Sequence, residues 1–321
     1  MKKIVTIHQT DLYRPHIDPD DHYDLACQFA LAKRGYLDLR MILIDYPPKP
    51  NHQPDTLAVN QLNQITHLSA DVAVGGKKDE TNSDLIISLR DTLIQSEDKV
   101  VIHIVGSCFD MALFYRLYPE LFIEKVDALY INAGSAFYSN LQEYNQFLNN
   151  ESFLSLFSIP VNIYWLPCFH DMDKIWEIGE HGSFYKFKQN DIFDHLNEPL
   201  LNYFVSCLRQ APLTSKIQDS LSMDINPSDV DKFGSLFRNM WCTAGFIHSV
   251  GLIVDLKGCI TNDVDHPLFS FEEIQVSIKQ DHLYWMYSNS SSNIKILKIH
   301  DINLYQENMT KALNTMIGWL K

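Results

Sequence analysis

The chain has 321 residues, 46% of them hydrophobic, and carries 26 Lys and Arg against 40 Asp and Glu, a formal net charge of −14. The acidic surplus argues against a nucleic-acid backbone or an anionic membrane as partner, while the apolar fraction is that of a globular protein with a sizeable core. No apolar stretch approaches the ~20 residues of a membrane span. Met1-Lys2-Lys3-Ile4-Val5-Thr6-Ile7-His8 turns polar too soon for a secretory leader. The six cysteines are scattered with no paired spacing, as expected of buried thiols in a reducing compartment, so a soluble cytoplasmic protein is expected.

The first predicted element is the apolar strand Ile4–His8, which runs through Gln9-Thr10 to Asp11. A loop ending in Asp18-Pro19-Asp20-Asp21 leads into the helical spacing of Tyr23, Leu25, Ala26, Phe29 and Ala30. Strands are predicted at Leu39–Ile44, Val72–Val74, Val100–Val105, Ala128–Ile131 and Val161–Leu166, with helices at Asp55–Leu68, Asp84–Ile94 and Met111–Leu117 between them. Unbroken apolar strands alternating with helices predict an α/β fold with a doubly wound, mostly parallel sheet. The second half reads as more helical, with candidates at Leu200–Leu208, Phe233–Ser249 and Gln306–Leu320. His282–Tyr287 and Asn293–Ile299, joined by Ser288-Asn289-Ser290-Ser291-Ser292, read as a late β-hairpin. No repeat, linker or break in composition divides the chain, so residues 1–321 are expected to form one domain.

The acidic loop is the most informative stretch. In open α/β sheets the ligand crevice lies beyond the carboxyl ends of the strands, and Asp11 stands at such an end. Helix capping accounts for one carboxylate at the start of a helix, but not for Asp11, Asp18, Asp20 and Asp21 together. Four carboxylates on one loop repel unless protons or a cation intervene, and a hard divalent ion with oxygen ligands, Ca2+ or else Mg2+, is the simplest resolution.

Four segments in order are similar to the calcium-dependent nucleoside hydrolase family, which includes inosine–uridine-preferring enzymes. Thr10-Asp11-Leu12 followed by Asp18-Pro19-Asp20-Asp21 resembles its opening aspartates, with Asp18 either a further ligand or a loop carboxylate. Asn51 and Asn60 reproduce the spacing of two family asparagines, with Pro50 in place of a glycine. Val101–Val105 with Gly106-Ser107-Cys108-Phe109-Asp110, the helix Met111–Leu117, and Ala128–Ile131 with Asn132-Ala133-Gly134 follow a family strand–helix–strand unit. Glu143-Tyr144-Asn145 resembles its Glu-Phe-Asn. One departure stands out: where the family places His-Asp-Pro at the start of a late helix, this chain has Arg238-Asn239-Met240-Trp241-Cys242-Thr243-Ala244.

The resemblance implies hydrolysis of an N-glycosidic bond in a small-molecule nucleoside or related glycoside, and a homo-oligomer. It implies Asp11 as the base that takes a proton from water, and Asp11, Asp20, Asp21 and the Phe109 carbonyl as metal ligands. Asn51, Glu143 and Asn145 would hold the ribose hydroxyls. For the missing late-helix pair, His170 at the end of Val161–Leu166 is the expected proton donor, with Asp171 or Asp173 as further oxygen donors and Trp241 stacking on the base. Three rival readings stand beside this one. They are a binding protein of the same fold without turnover, a hydrolase of another glycoside, and a partner-binding α/β protein whose aspartates only cap a helix.

Overall fold

The computed structural model describes residues 2–15, 19–78, 80–209, 221, 225–263 and 265–321; Asp18 lies outside them. The elements run β1 (Ile4–Thr10), β2 (Tyr13–Arg14), α1 (Asp20–Lys33), β3 (Leu37–Ile44), β4 (Gln53–Pro54), α2 (Thr56–Thr66), β5 (Asp71–Val74), α3 (Asp84–Gln95), β6 (Val100–Ile104), α4 (Phe109–Leu117) and β7 (Val126–Ile131). The second half contributes β8 (Asn162–Trp165), β9 (Tyr185–Lys188), β10 (Phe237–Met240), β11 (Ile253–Val254), β12 (Ile260–Thr261), β13 (Phe269–Lys279), β14 (His282–Tyr287) and β15 (Ile294–Ile299). Its principal helices are Glu198–Leu208, Thr243–Ser249 and Ile302–Gly318.

Nine strands form one sheet in the order β14-β13-β15-β8-β7-β6-β1-β3-β5. The pairs from β15 through β8, β7, β6, β1 and β3 to β5 are parallel, and β13 pairs antiparallel with both β14 and β15. The chain steps outward from β1 to β3 and β5, then returns to the other side of β1 at β6. That reversal is the topological switch point, where open α/β sheets leave a crevice beyond the strand ends.

Apolar side chains alternate between the two faces. Val5, Ile7, Met41, Leu43, Ile102 and Ile104 join one core with α3 and α4, whereas Ile42, Ile44, Val101 and Val105 join a second core with α1, α2 and the helices Thr243–Ser249 and Ile302–Gly318. Both faces are covered, which is why these strands read as unbroken apolar runs. Thr6 pairs with Leu39 and Ile7 with Met41, so Arg40 is an extra residue in β3. It keeps Leu37 and Leu39 on the same face as Ile42 and Ile44, since a one-residue insertion switches which side chains face which way.

Along the second face one row departs from this apolar pattern. His8, His103, Tyr130 and Tyr164 are successive register partners on β1, β6, β7 and β8. Tyr130 and Tyr164 stack at 4.6 Å, Tyr130 Oη lies 2.8 Å from His248 Nδ1, and Phe246 covers both histidines edge-on.

Two predicted elements change. Phe233–Ser249 is not one helix: a helix Pro227–Gly234 is followed by strand β10, then by the helix Thr243–Ser249. β10 forms by pairing with β9, some fifty positions earlier in the chain, a non-local contact that overrides local periodicity. His282–Tyr287 and Asn293–Ile299 do not pair with each other. The late hairpin is β13–β14, turning through Gln280 and Asp281 at positive φ, and β15 lies on the far side of β13.

Candidate functional site

The carboxyl ends of β1, β3, β6 and β7 are tied together before any functional side chain is placed. Val105 N donates to Gln9 O at 3.0 Å, Asp45 N to Thr10 O at 3.0 Å and Asn132 N to Ile104 O at 2.9 Å. Asp45 is buried beneath this edge and accepts from Gln9 Nε2 and from Ser107 N, each at 2.6 Å. Gly106 permits that closeness, because a β-carbon there would stand 2.3 Å from Asp45 Oδ2 and 2.9 Å from Asp11 N. Burial first, then the charges of Asp110 and Asp11, hold the Asp45 carboxyl well above its ordinary range.

Over this edge lies a cavity of about 390 Å³. Asp11, Asp20, Asp21, Glu143, Asn145 and Trp241 all line it, so six of the residues singled out from the sequence converge on one place. Asp20 and Asp21 form the first turn of α1, whose N-cap Pro19 supplies no side-chain hydrogen bond. The pair therefore meets the positive end of the helix without acting as its cap. Asp21 Oδ1 accepts from Thr10 Oγ1. Burial, then the neighbouring charges of Asp11 and Asp20, push the Asp21 carboxyl well above its ordinary value. One turn further along α1, burial raises Asp24 to about 7.

Glu143 is buried and heavily engaged. It caps the helix Tyr144–Leu148 through Asn145 N at 2.9 Å and Gln146 N at 3.1 Å, and also accepts from Gly134 N at 2.8 Å. Burial raises its pKa and these backbone donors oppose the rise. Asn145 Nδ2 donates to Val105 O at 3.1 Å, which ties the Glu-Tyr-Asn segment to the end of β6.

Three expected residues lie elsewhere. Asn51 is exposed in the turn before β4, while its neighbours Lys49 and His52 line the cavity. Phe109 opens α4, with its N–H donating to Ser107 Oγ at 3.2 Å; Val105 is the residue of this segment that reaches the cavity. His170 lines a separate groove with Asp171, Lys174 and His300. Its Nδ1 accepts from His181 N at 3.2 Å, and its ring packs edge-on against Phe137.

Beside Asn132, Tyr144 and Cys168, the remaining lining forms two groups that the sequence did not single out. An apolar wall comprises Phe169, Met172, Ile175 and Trp176 beside Trp241. A second group is Tyr13, which pairs with Pro54 in the short β2–β4 ladder, with Lys49 and His52 from the turn that precedes β4. Among the described residues His52 is the one histidine lining the cavity, and its Nδ1 is buried without a hydrogen-bond partner. Burial, then Lys49, lowers its pKa.

The donors present suit a hard cation in kind, since Asp11, Asp20 and Asp21 offer only oxygen and their mutual repulsion is what such an ion would relieve. Their placement is looser than their chemistry: among the described residues no three His, Cys, Asp or Glu side chains stand together as a metal-holding group. The late-helix position is filled by Trp241 and Cys242.

No protein-family model matches the sequence, and no curated protein matches it. Solved structures do match in shape. A purine-preferring ribonucleoside hydrolase from Gardnerella vaginalis aligns over 98% of this chain and 99% of its own, with TM-score 0.58 and 10% identity. The type III effector protein XopQ, solved in complex with adenosine diphosphate ribose, aligns over 98% and 94%, with TM-score 0.57 and 10% identity. A plant nucleoside hydrolase, PpNRh1, aligns over 97% and 99%, with TM-score 0.55 and 12% identity. At such identities the likeness establishes a nucleoside hydrolase-like fold. Among the described residues no helix is long and apolar enough to cross a membrane.

Proposed function

We propose that residues 1–321 act as one domain that hydrolyses the N-glycosidic bond of a ribonucleoside or a related ribosyl conjugate. The observation that carries this reading is the convergence of Asp11, Asp20 and Asp21 with Glu143, Asn145 and the Trp241 wall on one cavity at the switch point of the sheet. The structures similar in shape include nucleoside hydrolases and a protein complexed with adenosine diphosphate ribose, which supports the substrate class.

The carboxylates and the apolar wall of the cavity divide the work. Breaking an N-ribosidic bond develops positive charge on the sugar, and the carboxylate floor favours that charge over the neutral ground state. Asp11 is the base that takes a proton from the attacking water. Asn145, fixed through Val105 O, offers its remaining amide oxygen to a sugar hydroxyl, and the apolar wall takes the base. Asp11, Asp20 and Asp21 would hold a divalent ion. Such an ion, when bound, supplies an orienting and acidifying centre for water.

The test is release of free base from a panel of nucleosides and ribosyl conjugates, followed by chromatography with wild type and Asp11→Asn. Wild type is expected to release base, and the variant to be slower by about 10²–10⁴-fold. One observation favours a second reading, a binding protein without turnover: Trp241 and Cys242 stand where the resemblance calls for a His-Asp pair, and His170 lies outside the cavity. Ligand binding with no release from any compound in the panel would select it.

A further inference from the structure

The segment between Asp45 and Asp55 is tied at both ends to the residues flanking Asp11: Asp45 N donates to Thr10 O and Asp55 N to Leu12 O, each at 3.0 Å. Within it Pro47, Pro48, Pro50 and Pro54 each fix their own φ, so the loop is stiff before any ligand arrives. His52 N closes a turn on Lys49 O at 3.1 Å. The His52 ring lies 6.0 Å from that of Tyr13, whose hydroxyl donates back to Tyr46 O at 3.2 Å. Lys49 and His52 both line the cavity, and among its described lining residues they are the side chains able to carry positive charge. Burial, then the charge of Lys49, lowers the imidazole pKa, so the turn holds the two within electrostatic reach of each other. Among the described residues neither side chain meets a carboxylate in an ion pair, and neither ring nitrogen of His52 is hydrogen-bonded.

Two cations set side by side with no anion to answer them are the mirror image of the crowded aspartates, and an anionic ligand group relieves their repulsion in the same way. Phosphate suits the pair, because it is multiply charged at neutral pH and accepts charge-assisted hydrogen bonds from ammonium and imidazole N–H groups. We infer that this proline-stiffened turn is an anion subsite and that the substrate carries a phosphate on its ribose: a ribonucleotide or phosphoribosyl conjugate rather than a free nucleoside. Lys49 Nζ and His52 Nε2 donate to the phosphate oxygens, while the aspartates at the end of β1 and the start of α1 answer the positive charge that develops on the sugar. The inference deepens the N-glycosidic reading above and rests on it.

The test is calorimetric titration, in buffer containing calcium, with adenosine, uridine and the 2′-, 3′- and 5′-monophosphates of each. Wild type is expected to bind at least one monophosphate about tenfold or more tightly than its parent nucleoside. That preference should shrink when salt is raised from about 0.05 to about 0.5 M. In the Lys49→Gln, His52→Gln double variant the ratio of the two affinities should fall to about one, and in Lys49→Glu it should invert. Both positions lie in a surface turn, and the charge-reversed variant decides alone if the double variant does not fold. Nucleosides binding wild type as tightly as all their monophosphates overturns the anion subsite and leaves the N-glycosidic reading standing. A preference that survives in both variants places the phosphate elsewhere, on a bound ion for instance, and overturns the assignment to this turn. No binding of any of the compounds overturns both readings.

Discussion

Replacing Asp55 by Asn removes one charge and little else, and the structure says how much that charge is worth. Asp55 Oδ2 lies 2.8 Å from Arg14 Nη2 and 3.1 Å from His22 Nε2, with the Arg14 side chain 1% and the Asp55 side chain 0% exposed. Its Oδ1 accepts from Ala58 N at 3.2 Å and so caps α2. Burial would raise this carboxyl, but His22 and Arg14 outweigh it and hold it at about 2, against an ordinary 3.8. That difference corresponds to roughly 2 kcal/mol of stability. Stranding a buried guanidinium carries a loss of about 3–5 kcal/mol. Asp55→Asn is therefore expected to lower the unfolding free energy by about 2 to 5 kcal/mol, read from the urea midpoint by tryptophan fluorescence at unchanged slope. Because the folded-state value lies below the unfolded one, the contribution is present above 3.8 and lost as pH falls through about 2, so wild type and variant should converge in acid. Removing both charges, with Arg14→Met added to Asp55→Leu, should recover more than half of the loss. A loss below about 1 kcal/mol for Asp55→Asn would refute the reasoning, since Arg14 would then have found water or another anion.

Further outcomes follow from the same geometry. Elemental analysis after calcium loading should find metal on wild type and none on the Asp20→Ala, Asp21→Ala double variant; equal loading would place any ion elsewhere. Glu143→Gln weakens three hydrogen bonds from backbone N–H groups, so it should cost about 1–3 kcal/mol in chemical denaturation before any effect on activity is considered. His8 is fully buried with neither ring nitrogen hydrogen-bonded among the described residues, and burial lowers it from 6.5 to about 3. The unfolded chain takes up that proton first, so the contribution is lost as pH falls below 6.5, by roughly 2 kcal/mol near pH 5. Asp24 and Asp110, raised by burial to about 7, act in the opposite sense over the same range. The His8 effect is therefore read as the difference between wild type and His8→Leu, and a pH-independent difference would refute it.

The parallel half of the sheet was legible because both of its faces are covered, so Val100–Ile104 and Val126–Ile131 show no polar alternation. Asp11, Asp20 and Asp21 were legible because a strand end followed by an acidic helix start brings them to the crevice whatever the rest of the chain does. Strand β13 was not: Glu272, Glu273, Gln275 and Ser277 interrupt its apolar pattern, and it is fixed by β15 and β14 on either side. Spacing alone singled out Asn51, whereas the loop before β4 turns Lys49 and His52 to the cavity instead. His170 stands at a strand's carboxyl end as expected, yet its hydrogen bond from His181 N draws it to a neighbouring groove. Asn132 was legible only as the end of a strand motif, and its place in the cavity lining depends on Leu166 O, which accepts from its amide nitrogen across the sheet edge.

The place of β15 between β8 and β13 sets an order of assembly during synthesis. Ile294, Lys295 and Ile296 pair with Ile163, Tyr164 and Trp165, partners 131 positions earlier in the chain. At ribosomal speeds of about 5–20 residues per second, β8 leaves the ribosome roughly 7 to 26 s before the strand that covers its outer edge. Until then β8 offers a row of unpaired amides and carbonyls to any extended chain nearby. A nascent chain stalled before Ile294 would thus hold eight of the nine strands and still leave that edge open, so β15 serves as the seal between β8 and the β13–β14 hairpin.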